Sequence, residues 1–352
     1  MPDILYGDLA VHLEGMGENV WSAKMAEDIE NFRIECKELF QELNIPAPNY
    51  EVVAGITALR KYLKTHEGVY VKISIIRGMC ETFRSDSLKM SEGKLDRLAR
   101  DLGPWKETQD FLVEEEVPDA VEISYDLYCI DGEYPQKTVF GVEIKSEAYF
   151  CKTMDYDQLP EQVIDYNAKI APTLKKYRCR SNTPCELRVQ KNGAYKAIDI
   201  CMREGAPSFG AKLNLVINWP KIYSGGAQGK VVEPEFADKC AMELCLYSET
   251  AKTEALPIYF PPKYRNNIKL RYSCEIDGTC YVLPQPCPNG TLGTIAVTGS
   301  TWEECKGNII EIRDELKAEG LESSLEAIDK TKTEWNKMQD HGISIPKIQE
   351  SS

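Results

Sequence analysis

The chain has 352 residues and a formal net charge of −14, from 42 Lys plus Arg against 56 Asp plus Glu. That length suffices for one large unit or two to three subdomains with real cores, and 43% hydrophobic with 28% charged residues is a globular balance, not that of a disordered chain. The acidic total disfavours a nucleic-acid partner, whose phosphates are held by Lys and Arg, and no run approaches the roughly 20 apolar residues that span a bilayer, so no membrane role is expected.

In chain order, the opening MPDILYGDLAVHLEGMGENV lacks a basic start followed by an apolar run, so no signal peptide is expected. Residues 22–43 place Ile29, Phe32, Cys36, Leu39, Phe40 and Leu43 at helical spacing, which predicts one amphipathic helix ended by Asn44 and Pro46. Val52–Ile56 precedes a short helix around Ala58–Lys64. VYVKISI (69–75) alternates as a strand with Val69, Val71, Ile73 and Ile75 on one face. A loop with Arg77 and Gly78 follows, then a helix around Gly93–Leu102 stopped by Gly103-Pro104. From Phe111 to Met202 the chain is strand-rich, with turn signals at Asp131-Gly132 and Asn192-Gly193 and a helix over Leu159–Lys176 opened by Pro160. Ser224–Gly299, rich in Gly, Pro and Cys, shows no clear period. Ser300-Thr301 then caps a helix, TWEECKGNIIEIRDELKAE, with Glu303 and Glu304 in its first turn. The tail from Ile343 is expected to fray.

The 13 cysteines include no CxxC, and close spacings such as Cys240 to Cys245, Cys274 to Cys280 and Cys280 to Cys287 fit no zinc site. Reduced thiols in a cytoplasmic protein are the expectation. The histidines are His12, His66 and His341, so chemistry has to run on carboxylates, Lys and Arg.

The most informative stretch is CELRVQKNGAYKAIDICMR (185–203). Treated as a two-residue turn, Asn192-Gly193 sets Lys191 opposite Ala194 and, by the same count, Glu186 opposite Asp199, with Cβ atoms about 5 Å apart on one face. Facing carboxylates repel unless a cation lies between them, and Mg²⁺ takes hard oxygen ligands from one or two carboxylates plus substrate phosphates. Arg188, Cys201 and Arg203 share that face, and Ile198, Ile200 and Met202 form the core-facing side. A solvated hairpin, with Glu186 and Asp199 paired to Arg188, Lys196 and Arg203, satisfies the same pattern. Upstream, Lys72 lies on the strand face between Tyr70 and Ser74, ahead of Arg77-Gly78. It either reaches phosphate oxygens, helped by loop amides, or blunts an edge strand.

Taken together, a strand lysine, an acidic hinge, a glutamate beyond it, two carboxylates on adjacent strands and a following arginine resemble the ATP-grasp superfamily. Its members include biotin carboxylase, D-alanine–D-alanine ligase and the purine-synthesis ligases. In the hinge, FLVEEEVPDAVEIS, Glu114 and Glu122 have the spacing of the purine-type hinge and ribose-binding glutamates. TVFGVEIKSEAYF and GTIAVTGSTWEECKGNIIEI resemble the body and terminal helix, and the chain resembles compact phage-type members over Glu35 to Lys330.

The resemblance implies an α+β fold, two lobes with mixed or antiparallel sheets clasping a nucleotide. Residues 1–45 would be a truncated N-terminal segment, 46–118 the lid, 119–340 the second lobe and 341–352 a tail. It implies MgATP, with up to two ions and Mn²⁺ as a substitute, held at Glu186 and Asp199. Lys72 and Arg77 would meet phosphates, Glu114 with the Glu115 and Val117 backbone would meet adenine, and Glu122 the ribose. Arg203 and Arg188 would stabilise the transferring group. The implied reaction activates a substrate carboxylate as an acylphosphate for attack by an amine, with small molecules or a peptide as partners. The alternatives are a degenerate nucleotide-binding protein and a phosphotransferase. Cys201 stands where Asn is common, which implies a weaker hold on a second ion, and the glycine-rich loop is reduced to residues 75–79.

SGGAQGK (224–230) imitates a phosphate-binding loop but has Ser224 in place of the first Gly and Val231 after the Lys. A loop lining the acceptor pocket is the expectation there. Lys145 is expected in a salt bridge or on a phosphate, and Asp126 and Glu143 in structural roles.

Overall fold

A computed structural model describes residues 6–75, 82–205, 208–284 and 291–348. After helix α1 (Gly7–Gly15), the helical period of residues 22–43 is broken into a 3₁₀ turn and two helices, α2 (Glu27–Asn31) and α3 (Arg33–Glu42). The break is at Phe32, whose backbone is extended (φ −112°, ψ 92°). It bridges Ile75, and the Arg33 amide donates to the Ser74 carbonyl at 3.0 Å. Tertiary pairing thus overrides the single predicted helix. Phe32, expected on its buried stripe, is 38% exposed, whereas Ile29, Cys36 and Phe40 are buried.

A small α/β unit follows: β1 (Tyr50–Ala54), α4 (Ile56–Leu63), β2 (Val69–Ile73), β3 (Thr82–Ser85), α5 (Leu88–Leu102) and β4 (Asp110–Glu115). Its antiparallel sheet has the order β1-β4-β2-β3. Val69, Val71 and Ile73 turn one strand face onto Leu59 and Leu63 of α4 and Leu95 and Leu98 of α5, a separate apolar cluster. Ile75 lies past the strand end and is exposed, contrary to the alternation. The Ser87 hydroxyl starts α5 by accepting from the Met90 amide, and Gly103, at φ 54°, ends it.

The second apolar cluster begins in the N-terminal segment, with Ala23, Ile29, Cys36 and Phe40, and runs through the rest of the chain. Its elements are β5 (Ala120–Tyr125), β6 (Tyr128–Ile130), β7 (Lys137–Ile144), β8 (Ala148–Asp155), α6 (Glu161–Lys176), β9 (Arg180–Asn182), β10 (Cys185–Gln190) and β11 (Tyr195–Ile200). There follow α7 (Phe209–Leu215), α8 (Trp219–Ala227), β12 (Cys240–Tyr247), β13 (Leu256–Ile258), β14 (Ile268–Leu270), β15 (Ser273–Ile276), β16 (Thr279–Val282), β17 (Thr291–Gly299), α9 (Trp302–Glu315) and α10 (Leu325–Asp340). The sheets are β11-β10-β5, β14-β17-β12-β8-β7, β13-β16-β15 and β6-β9. At Asp131-Gly132 both residues have positive φ (50° and 86°) and Ile130 and Glu133 exchange backbone bonds, the expected two-residue turn.

Three expectations change here. SGGAQGK is no pocket loop: Ser224–Ala227 form the last turn of α8, and a Cβ on Gly229 would stand 2.9 Å from the Arg180 guanidinium. Helix α9, capped by the Thr301 hydroxyl, stops at Glu315 because Leu316 turns extended and Lys317 bridges Tyr259. The tail does not fray up to residue 348. Ile343 and Ile348 are buried, and the Trp335 indole, packed between Phe140 and Phe150, donates to the Pro346 carbonyl at 2.9 Å.

Candidate active site

A cleft of about 700 Å³ separates the face of the small sheet carrying Tyr70, Lys72 and Arg84 from the larger body. Lys72, Glu122, Glu186, Arg188, Asp199, Cys201 and Arg203 all line it. The volume and polar content fit a ligand pocket.

The hairpin β10–β11 explains how the carboxylates meet. Glu186 does oppose Asp199, but not through the expected two-residue turn. Only Gly193 has a positive φ (81°), Gln190 pairs with Ala194 around a longer loop, and Val189, Arg188 and Leu187 face Tyr195, Lys196 and Ala197. A bulge then takes up Ile198 as the unpaired residue and restores the Glu186–Asp199 opposition. Ile198 therefore lines the cleft instead of the core, while Ala197, Ile200 and Met202 are buried. Freed from the ladder, the Ile198 carbonyl accepts from Lys37 at 3.1 Å and Lys72 at 3.4 Å.

Lys37 was not legible in the sequence. It sits on α3, in the broken helix, and with Lys72 it grips Glu114 between two ammonium groups at 2.7 and 2.6 Å. All three side chains are buried. Burial pulls the Lys72 ammonium below the usual lysine range, against the opposing pull of Glu114. Burial would raise Glu114, but the two lysines prevail and hold its carboxyl below the usual range. The Glu114 carboxylate is thus committed beneath the cleft floor. Glu115 is tied to Asn49, its amide donating to the Asn49 carbonyl at 3.0 Å and its carboxylate accepting from the Asn49 amide at 2.8 Å. Neither Glu115 nor Val117 lines the cleft as it stands, and Arg77 lies outside the described residues.

On the body side, Lys145 lies 2.6 Å from Glu186 and 3.9 Å from Glu122, while Arg188 meets Glu122 at 2.6 Å. Lys145 thus forms the expected salt bridge. Although burial opposes its charge, Glu186, Glu122 and Glu143 hold its ammonium above the ordinary range. Burial, with Glu186 nearby, raises the Glu122 carboxyl, and burial pushes Glu143 up to about 8. Asp126 accepts from Ser124 at 2.9 Å and Tyr149 at 2.7 Å, a structural role. Arg203 is steered by Glu30 of α2 at 3.2 Å, and the same carboxylate accepts from the Met202 amide.

This donor set fits a divalent cation. Two carboxylates face each other across adjacent strands, and a tethered ammonium already answers one of them. Among the described residues no group of three or more His, Cys, Asp or Glu is placed to hold a metal. The protein would supply two carboxylates and leave the other positions to phosphate and water, the manner of Mg²⁺.

No family model and no curated protein sequence matches the chain. Among solved structures it is similar to phosphoribosylamine–glycine ligase from Thermotoga maritima, with TM-score 0.63 and 16% identity over 86% of this chain and 80% of that one. It is also similar to the biotin carboxylase domain of Hydrogenobacter thermophilus 2-oxoglutarate carboxylase, solved with MgADP and bicarbonate (TM-score 0.64, 13% identity, 96% of this chain, 76% of that one). A third similar structure is L-amino acid ligase from Bacillus licheniformis (TM-score 0.60, 14% identity, 89% and 78%).

Proposed function

From the ATP-grasp fold that this chain has in common with those enzymes, we propose that the cleft binds MgATP and activates a substrate carboxylate as an acylphosphate for attack by an amine. The observation that carries this reading is the Glu186–Asp199 pair, opposed by a bulge and facing Lys72 across one cleft. The lid would be residues 46–118 and the catalytic lobe 119–340, with the strand exit at Glu114, Glu115 and Val117 holding adenine and Glu122 the ribose. In the first step a carboxylate oxygen of the substrate attacks the γ-phosphorus and ADP leaves. In the second the amine nitrogen attacks the acyl carbon, phosphate leaves with the acyl C–O bond pair, and the nitrogen loses a proton to give an amide.

Glu186 and Asp199 would hold Mg²⁺, which when bound supplies charge neutralisation at the phosphates. The protein's own part is positioning and charge. Lys72 lines the cleft with its ammonium held by Glu114 and the Ile198 carbonyl, and Lys37 fixes Glu114 from behind, so polyphosphate oxygens arriving there meet the Lys72 ammonium already in place. Arg203, aimed by Glu30, and Arg188 present guanidinium forks to developing oxyanions. Closure of the lid face carrying Lys72 would exclude water from the acylphosphate.

The test is ADP formation. Glu186→Ala and Asp199→Ala should each lose it while circular dichroism stays that of the wild type; wild-type ADP release from both would sink the reading. A non-catalytic nucleotide-binding protein is the second reading, favoured by Cys201 in the cleft and by Lys145 already bonded to Glu186. It requires nucleotide binding with no ADP formed against a broad panel of acids and amines.

A further inference from the structure

The cleft has a wall that the nucleotide reading does not use, with Ser146, Cys245, Tyr247, Arg271 and Thr291. The cleft cations nearer the centre are answered within the protein: Lys72 by Glu114, Lys145 by Glu186 and Arg188 by Glu122, each at 2.6 Å, and Arg203 by Glu30 at 3.2 Å. Arg84 meets Asp86 at 3.1 Å, and Arg33 donates to the Ile73 carbonyl at 2.6 Å. Arg271 differs: among the described residues its guanidinium has no carboxylate within ion-pair distance and no hydrogen-bond acceptor.

Its backbone is nevertheless fixed. The Arg271 amide donates to the Leu292 carbonyl at 2.9 Å, next to Gly293, where any Cβ would overlap the Lys269 carbonyl. The β12–β17 register slips between Leu246 and Tyr247, which sets Tyr247 opposite Thr291 beside it. The Arg271 charge acts on both Cys245 and Tyr247.

We infer that Arg271, with the Tyr247 and Thr291 hydroxyls, is a subsite for an anionic oxyacid group of the acceptor substrate, a carboxylate or phosphate remote from the reacting atoms. A guanidinium offers paired N–H donors matched to such a group, and an unanswered one in a cleft whose other cations already have partners within the protein selects for it. This rests on the ligase reading, which puts the nucleotide at the Lys72 end.

The test is calorimetric titration of the MgADP-saturated protein with succinate, glutarate, L-aspartate, L-glutamate and O-phospho-L-serine, the carboxylates each beside their carboxamides. At least one anion should bind and its amide should not. Arg271→Gln should weaken that anion tenfold or more, and Arg271→Lys less. Arg265→Gln, outside the cleft and paired with Glu275 at 2.8 Å, should leave it unchanged. Ranking phosphoserine against aspartate tells phosphate from carboxylate. The inference falls if no anion of the panel binds, if amides bind as well as acids, or if Arg271→Gln binds them all as the wild type does. MgADP affinity, measured first, reports separately on the ligase reading and should be the same in Arg271→Gln.

Discussion

Glu114 sits between two buried ammonium groups, and removing its charge leaves both without an anion. Breaking a buried pair by deleting one partner costs about 3–5 kcal/mol. Glu114→Gln should therefore lower the urea midpoint strongly, and less so in a Lys37→Met background, where one ammonium remains. An equal loss in both backgrounds would mean the three groups are not coupled. The pH sign follows from the depressed Glu114 carboxyl. Its contribution is present above the unfolded value near ~4.3 and is lost as pH falls through the folded value, so variant and wild type should converge in acid. Glu143 has the opposite sign. Burial raises it to about 8, and Glu186, Glu122 and Asp126 push the same way against Lys145. The unfolded chain releases this proton first, so stability falls as pH rises from ~4.3 toward the folded value and is flat above it. Without divalent cations, Glu143→Gln should melt close to wild type at pH 5 and above it at pH 9. A melting difference that does not grow with pH would show that Glu143 is not perturbed.

At the scale of the element, β7 carries Gly141 because no Cβ fits there: it would overlap the Tyr149 hydroxyl that donates to Asp126. Gly141→Ala should cost about 1–3 kcal/mol as overpacking, and clearly less in Tyr149→Leu, where the obstructing ring is gone. Equal costs in both backgrounds would place the strain elsewhere. The hairpin that follows shows how far sequence carried the site. Period two put Glu186, Arg188 and Asp199 toward one side, and all three line the cleft. A two-residue turn would set the same pair face to face, whereas the chain uses a longer loop plus a bulge at Ile198, two one-residue shifts that cancel. Asp-Gly at 131–132 and Asn-Gly at 192–193 look alike as turn signals, yet only the first has both residues at positive φ. At the second, the Asn192 side chain accepts from the Ala194 amide at 3.0 Å and Gln162 donates to the Gly193 carbonyl at 3.1 Å, contacts that a dipeptide does not encode. Lys37 escaped for the same reason: its partner Glu114 lies on another lobe, and helical periodicity says nothing about a contact at that separation. Arg271 fell in the Gly- and Cys-rich stretch, where short strands leave too few residues to show a period.

At the scale of the whole molecule, the described residues form two apolar clusters, linked in part by a strap. The smaller cluster lies within Ile56–Val113, and the larger takes in the N-terminal segment as well as the body. The broken helix at Phe32 is that strap: Arg33 reaches the Ser74 and Ile73 carbonyls of the small unit through its amide and guanidinium, while Glu30 one turn earlier holds Arg203 and the Met202 amide of the body. A small unit with its own core, joined to the body by this strap and by the buried Lys37–Glu114–Lys72 group, opens more readily than the body that supports it. Amide exchange in β2 and β4 should accordingly be faster than in β8 and β12. Arg33→Ala removes a charged hydrogen bond worth about 1.5–3 kcal/mol, which should speed exchange in β2 and β4 roughly 10- to 150-fold and leave β8 and β12 unchanged. On the proposed function, MgADP spanning both faces of the cleft would stabilise only the closed arrangement, by mass action, so saturating nucleotide should bring the small-unit amides of the variant back toward the body's protection. If Arg33→Ala accelerates both lobes equally, the strap is part of one cooperative unit and the small unit does not open as a body of its own.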